Sequence, residues 1–159
     1  MEPIAHAISV GPRCTNARLL KEQRRGAMPF DWLFSSARVV LDCLEDDFRS
    51  FLDADQYFEV ARVHDAVGLP PGAAPRERVL VGHKKYSAWT GGVGRGVIFN
   101  HHNPLTEEGY SHYVRAVARF REVLAAPGRK LYTFLNLNAP LWEPADLSAL
   151  FRAHSCSFH

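Results

Sequence analysis

The stretch that most constrains the fold runs from Thr106 to Leu135. Tyr110, Tyr113, Val114, Val117, Phe120, Val123 and Leu124 recur at helical spacing. Thr106, with Glu107 or Glu108 behind it, starts this helix, and Ala126-Pro127-Gly128 stops it. Arg115, Arg119, Arg121 and Glu122 are left for its wet face. Leu131-Tyr132-Thr133-Phe134-Leu135 then reads as a strongly apolar strand. A helix handed straight to such a strand is the back half of a β–α–β crossover, which closes on a parallel partner. The segment from Ile4 to Val10 is short, apolar and partly β-branched, and it is the strand whose placement decides the matter. Side by side and parallel with residues 131–136, it makes an α/β domain. The competitor is an α+β arrangement with helix against an antiparallel sheet.

The other elements fit one domain over residues 1–159. Gly11-Pro12 ends the first strand, and helical spacing follows from Thr15 to Gln23. Ser35-Ser36 caps a helix from Ala37 to Leu44 that presents Val40, Cys43 and Leu44. Glu45-Asp46-Asp47 reads as the acidic start of a further short helix burying Phe48, Phe51 and Leu52. Tyr57 to Val63 is an edge strand, Val79-Leu80-Val81 a short strand, and Gly96 to Asn100 another. A last helix begins at Glu143-Pro144 and runs to about Ala153. A loop insertion around residues 68–78 and a glycine-rich loop around residues 90–96 interrupt the pattern. The expected architecture is α/β, a single three-layer domain with a mainly parallel or mixed sheet.

Composition narrows the partners. Lys+Arg 19 against Asp+Glu 17 leaves a net charge of +2, too small to argue for nucleic acid without an arginine-rich or stacking motif. Cys14, Cys43 and Cys156 are odd in number, widely spaced and lack a CxxC, which argues against a disulfide framework and a structural zinc site. The N-terminus shows no secretory leader, and no apolar run approaches the roughly 18 residues a spanning helix needs. The expectation is a soluble protein of a reducing compartment such as the cytoplasm, with no cofactor, metal or membrane partner and a small-molecule or peptide substrate.

Cys14 falls where the first strand ends and a helix begins. Free N–H groups and the positive helix end favour a thiolate there, and Arg13 adds to the bias. A buried structural cysteine is the alternative. Asp31, between Phe30 and Trp32, either caps a following turn or serves as a site carboxylate beneath Cys14. His101 and His102 follow the strand ending at Asn100. Neighbouring side chains on extended backbone point to opposite faces, so at most one histidine faces a given site, and the pair is poor for chelating one metal. Asn136, at the C-terminal end of the apolar strand, lies where open α/β sheets place ligands. Gly92-Val93-Gly94-Arg95-Gly96 lacks the full dinucleotide fingerprint and precedes a strand, so it reads as a flexible loop.

Ser9-Val10-Gly11, Cys14, Ala17, Leu20-Lys21, Pro29-Phe30-Asp31-Trp32-Leu33, Cys43-Leu44 and Asp47-Phe48, with the later Phe99-Asn100-His101-His102, resemble a little-characterised family described as papain-like cysteine peptidases. The resemblance implies Cys14 as nucleophile and His101 as its base, with His102 as second choice. Asp31 matches the acid of the family's Pro-Phe-Asp-Trp block. It also makes a papain-like α+β fold the named competitor. On this reading the thiolate attacks a carbonyl, the N–H groups of Cys14 and Thr15 receive the oxyanion, and Asn136, Asp31 or Asn103 holds the histidine tautomer. The implied activity is a cysteine-dependent hydrolase or acyl transferase acting on an amide, ester or thioester. Two other readings stand beside it. One is a non-catalytic module binding sugar or peptide through Phe30, Trp32 and Trp89, and the other a phosphate binder at the Gly11-to-Cys14 turn.

Overall fold

The computed structural model describes residues 3–11, 14–20, 26–66, 69–90 and 95–134. Strand β1 (Ile4–Ser9) leads through Gly11 into helix α1 (Cys14–Leu20). Helix α2 (Ala37–Glu45) is followed by strands β2 (Tyr57–Asp65) and β3 (Arg76–His83), helix α3 (Glu107–Ala125) and strand β4 (Arg129–Thr133). Asn136, the helix expected from Glu143, Cys156 and residues 91–94 of the glycine-rich loop lie outside the described residues.

The crossover closes as the helix–strand pattern requires. β4 pairs with β1 in parallel, with Ala7 opposite Leu131 and Ser9 opposite Thr133. The Val10 N–H then extends the ladder by donating to the Thr133 carbonyl at 3.0 Å. β2 and β3 form a separate antiparallel pair. Among the described residues the chain is therefore a mixed α/β structure built on two small sheets, one parallel and one antiparallel.

Local chemistry sets the helix starts. The Ser36 hydroxyl accepts from the Val39 N–H at 3.4 Å, and the Thr106 hydroxyl accepts from the Gly109 N–H at 3.1 Å. Gly109 also meets a packing demand, since a Cβ there would collide with the Asn103 carbonyl. On α3, Tyr113, Val117 and Phe120 are buried as the spacing predicts. Val114, read as core, is 40% exposed instead, because it lies at the margin of the apolar stripe. Arg119, read as solvated, turns back and donates to the Ala27 carbonyl from two nitrogens, at 3.0 and 2.7 Å. Leu131 is 42% exposed, so β4 is less buried than its composition suggests.

Three further expectations change. The acidic triplet starts no helix: Asp46 instead caps the end of α2, and its carboxylate accepts from the Ser50 N–H at 2.9 Å. Asp47 and Phe48 take positive φ values of 52° and 61°, a backbone that breaks helical continuation. Phe48 tolerates this sparsely populated region because its ring is walled by Phe30, Phe51 and Phe120 at 5.5–5.9 Å. Second, residues 96–100 are no strand of their own. Phe99 makes single bridges to Leu33 and to Val81, stitching the Pro-Phe-Asp-Trp block to the hairpin. Third, β3 begins at Arg76, inside the span read as a loop insertion, because it pairs residue by residue with β2.

The core is an aromatic cluster. Phe30 stands edge-on to Phe120 of α3 at 5.9 Å, and Phe51 lies 5.7 Å from both Phe99 and Tyr113. Burying each such ring contributes on the order of 1.5–3 kcal/mol. The Pro-Phe-Asp-Trp block is thus anchored in the centre by Phe30, with Asp31 and Trp32 following immediately.

Candidate functional site

Cys14 is the first residue of α1 and is partly exposed. The junction beneath it is tied together by a side chain the sequence did not single out. Asn16, buried two residues further on, donates through Nδ2 to the Gly11 carbonyl at 3.2 Å and to the Thr133 carbonyl at 2.5 Å. One amide therefore links the start of α1 to the C-terminal ends of both parallel strands. Those ends are where open α/β sheets receive ligands. Gly11 has φ +91° and a Cβ there would strike the Ser35 hydroxyl, so this turn requires glycine on two counts. Among the described residues, the buried hydroxyls of Ser9 and Ser35 have no hydrogen-bond partner.

Asp31 is buried, and its carboxylate accepts from the Met28 N–H at 2.7 Å. That bond closes the turn before the acid, where the sequence reading expected it to cap a turn after it. Trp32, half-buried, meets His101 edge-on at 5.3 Å. His102 turns the other way and stacks on His112 of α3, with ring centres 3.6 Å apart and planes within 16°. The two histidines are separated, but at a bend and not on the extended strand the sequence suggested: one faces the Pro-Phe-Asp-Trp block, the other α3. Burial pushes the pKa of each below the ordinary histidine value, and Arg78 reinforces the effect at His101. Among the described residues, neither histidine makes a hydrogen bond or ring contact with Cys14.

A second polar cluster lies around Cys43, which is fully buried, as a core cysteine on α2 should be. Its thiol donates to the Tyr86 hydroxyl at 3.7 Å, which in turn donates to the Asp42 carboxylate at 2.8 Å. Lys85 pairs with the same carboxylate at 2.6 Å and donates to the Ser50 hydroxyl at 3.1 Å. His83 stacks on Tyr86 at 4.0 Å, and its Nε2 lies 3.0 Å from the Ser50 carbonyl, so that nitrogen carries the proton. Burial pushes the Cys43 thiol well up and the His83 imidazole down, so both are held neutral. The Arg38 guanidinium covers Trp89 at 4.1 Å on the outer side of this cluster.

The sequence carried a faint mark of Asn16, a polar residue beside Ala17 on a short helix, but none of the Asp42–Lys85 pairing. Among the described residues no three His, Cys, Asp or Glu side chains converge as a metal site. No helix among them is long and apolar enough to cross a membrane. No family model, curated protein or solved structure matches the chain.

Proposed function

We propose that the chain is a cysteine-dependent hydrolase or acyl transferase of the papain-like peptidase type, acting on an amide, ester or thioester of a small molecule or peptide. One observation carries this reading: Cys14 is partly exposed on the first residue of the helix that follows β1, at the C-terminal end of a parallel strand pair. Backbone N–H groups in a first helical turn have no intrahelical acceptor and are free for an oxyanion. In the proposed reaction the Cys14 thiol gives its proton to neutral His101 as its sulfur attacks the substrate carbonyl carbon, and the carbon–heteroatom bond breaks. The leaving group departs with the proton carried by His101, and water or a second acceptor then cleaves the thioester. Asp31 and Trp32 hold the segment against which His101 packs, and Asn136, Asp31 or Asn103 orients the imidazole. The finer architecture we attach to this reading is a three-layer domain whose sheet extends the β1–β4 pair. A free thiol nucleophile suits a reducing compartment such as the cytoplasm.

The test is turnover of acyl thioesters and peptide amides by the full chain. Cys14→Ala should abolish turnover while circular dichroism and melting temperature stay unchanged. Activity retained by Cys14→Ala ends the proposal. A second reading, a binding module for sugar or peptide using Trp32 and Trp89, is favoured by neither histidine hydrogen-bonding Cys14 among the described residues. Ligand affinity indifferent to Cys14→Ser is its signature.

A further inference from the structure

The segment carrying His101 is held from both sides. His101 rests on Trp32, and the next residue, His102, is stacked face to face on His112 of α3. The Tyr113 hydroxyl donates to the His102 carbonyl at 3.5 Å, and its ring stands edge-on to both imidazoles, at 6.3 and 5.2 Å. Arg78 of β3 donates to the Asn100 carbonyl. The stack is the one side-chain contact in this set whose two members are both imidazoles able to take up a proton on acidification.

We propose that the His102–His112 stack is a proton-sensitive clasp that sets the position of His101 against Trp32: intact when both imidazoles are neutral, open when either is protonated. Its charge surroundings favour opening. Arg115 and Arg119 of α3 and His102 face His112, whereas the acid facing His102 is Glu108. At His101 the facing groups are Arg78 from β3, His102 and Asp65 from β2. A cation on His112, in a stack only 3.6 Å deep, loses solvation and is faced by two arginines and no acid, while one on His102 is drawn toward Glu108 and away from the facing ring, so separating the rings is the cheaper outcome. Burial, followed by His102, brings the His112 value down to about 4. The clasp is therefore closed at neutral pH and releases as acid is added.

The catalytic consequence rests on the reading of His101 as the base of the Cys14 site, but the clasp stands on packing alone. Its test accordingly uses no substrate. Backbone amide, histidine ring and tryptophan indole resonances of the full chain are followed by NMR from pH 8 to about pH 3, below the His112 value. The amides of Asn100, His101 and Asn103 and the Trp32 indole N–H should move at the midpoint at which the His102 and His112 rings titrate. In His112→Phe, which keeps the ring face and removes one of the two proton sites, the His112 step should vanish from these resonances and leave only the steps of His102 and His101. His102→Phe, the same change on the facing ring, serves if His112→Phe does not fold. Identical titration curves for Trp32 in wild type and variant overturn the clasp, and so does global unfolding at the same midpoint. Loss of turnover in Cys14→Ala does not bear on it, which keeps its failure separate from failure of the catalytic reading.

Discussion

Two cysteines on two helices have opposite fates. Cys14 opens α1, partly exposed, beside a turn shaped by Gly11 and fastened by Asn16. Cys43 lies on the inner face of α2, fully buried, with its thiol donating to Tyr86 and its pKa driven up by burial. The same side chain is a candidate nucleophile in one place and a small hydrophobe in the other. Helix position and burial make the difference, because reactivity follows access and thiolate fraction.

The sharpest way to break this contrast is thiol labelling at neutral pH in a Cys156→Ser background. Cys14 should react with iodoacetamide in the native protein, while Cys43 should react only through unfolding, slower by at least about 10³-fold for a domain of ordinary stability. Mass spectrometry of the labelled peptides reads the ratio, and equal rates would erase the distinction. Next in size is the wall of the buried side. Phe51→Ala removes a ring in contact with Phe30, Phe48, Phe99 and Tyr113, and should lower stability by about 3–5 kcal/mol in urea unfolding. A loss below 1 kcal/mol, roughly that of one exposed substitution, would mean the aromatic cluster is not the core. The smallest effect belongs to the Cys14 side. Asn16→Ala deletes two hydrogen bonds to carbonyls and should destabilise by about 1–3 kcal/mol. It should also change the Cys14 labelling rate while leaving that of Cys43, measured under native conditions, tied to global stability. A variant that moves only the melting temperature would make Asn16 a strand fastener with no bearing on the thiol.

Acid offers a further comparison between the two sides, with a common sign. His83 beside Cys43, His101 against Trp32, and His102 and His112 at α3 all have pKa values lowered by burial. The unfolded chain then binds more protons than the folded one below the ordinary histidine value of about 6.5. Stability held above that pH should fall as pH drops through 6.5 toward the folded values, the lowest being about 4 at His112.

Much of the frame was legible in one dimension. The β1–α1 boundary, the Ser36 and Thr106 caps, the amphipathic α3 and the parallel return of β4 each depend on residues within a turn or two, or on a crossover rule with few alternatives. The opposite facing of His101 and His102 was expected from alternation along a strand, whereas it arises at a bend over residues 100–102. Tertiary packing decided the rest. Phe48 enters the left-handed region because three distant rings enclose it, and Arg119 leaves its solvated face because Ala27 presents a carbonyl to it. Asp42 finds Lys85 across 43 positions of sequence, and Asn16 finds Thr133 across 117. Periodicity and capping report a residue's near neighbours, whereas the partner of a buried polar group is chosen only when separate segments exclude water from the same place.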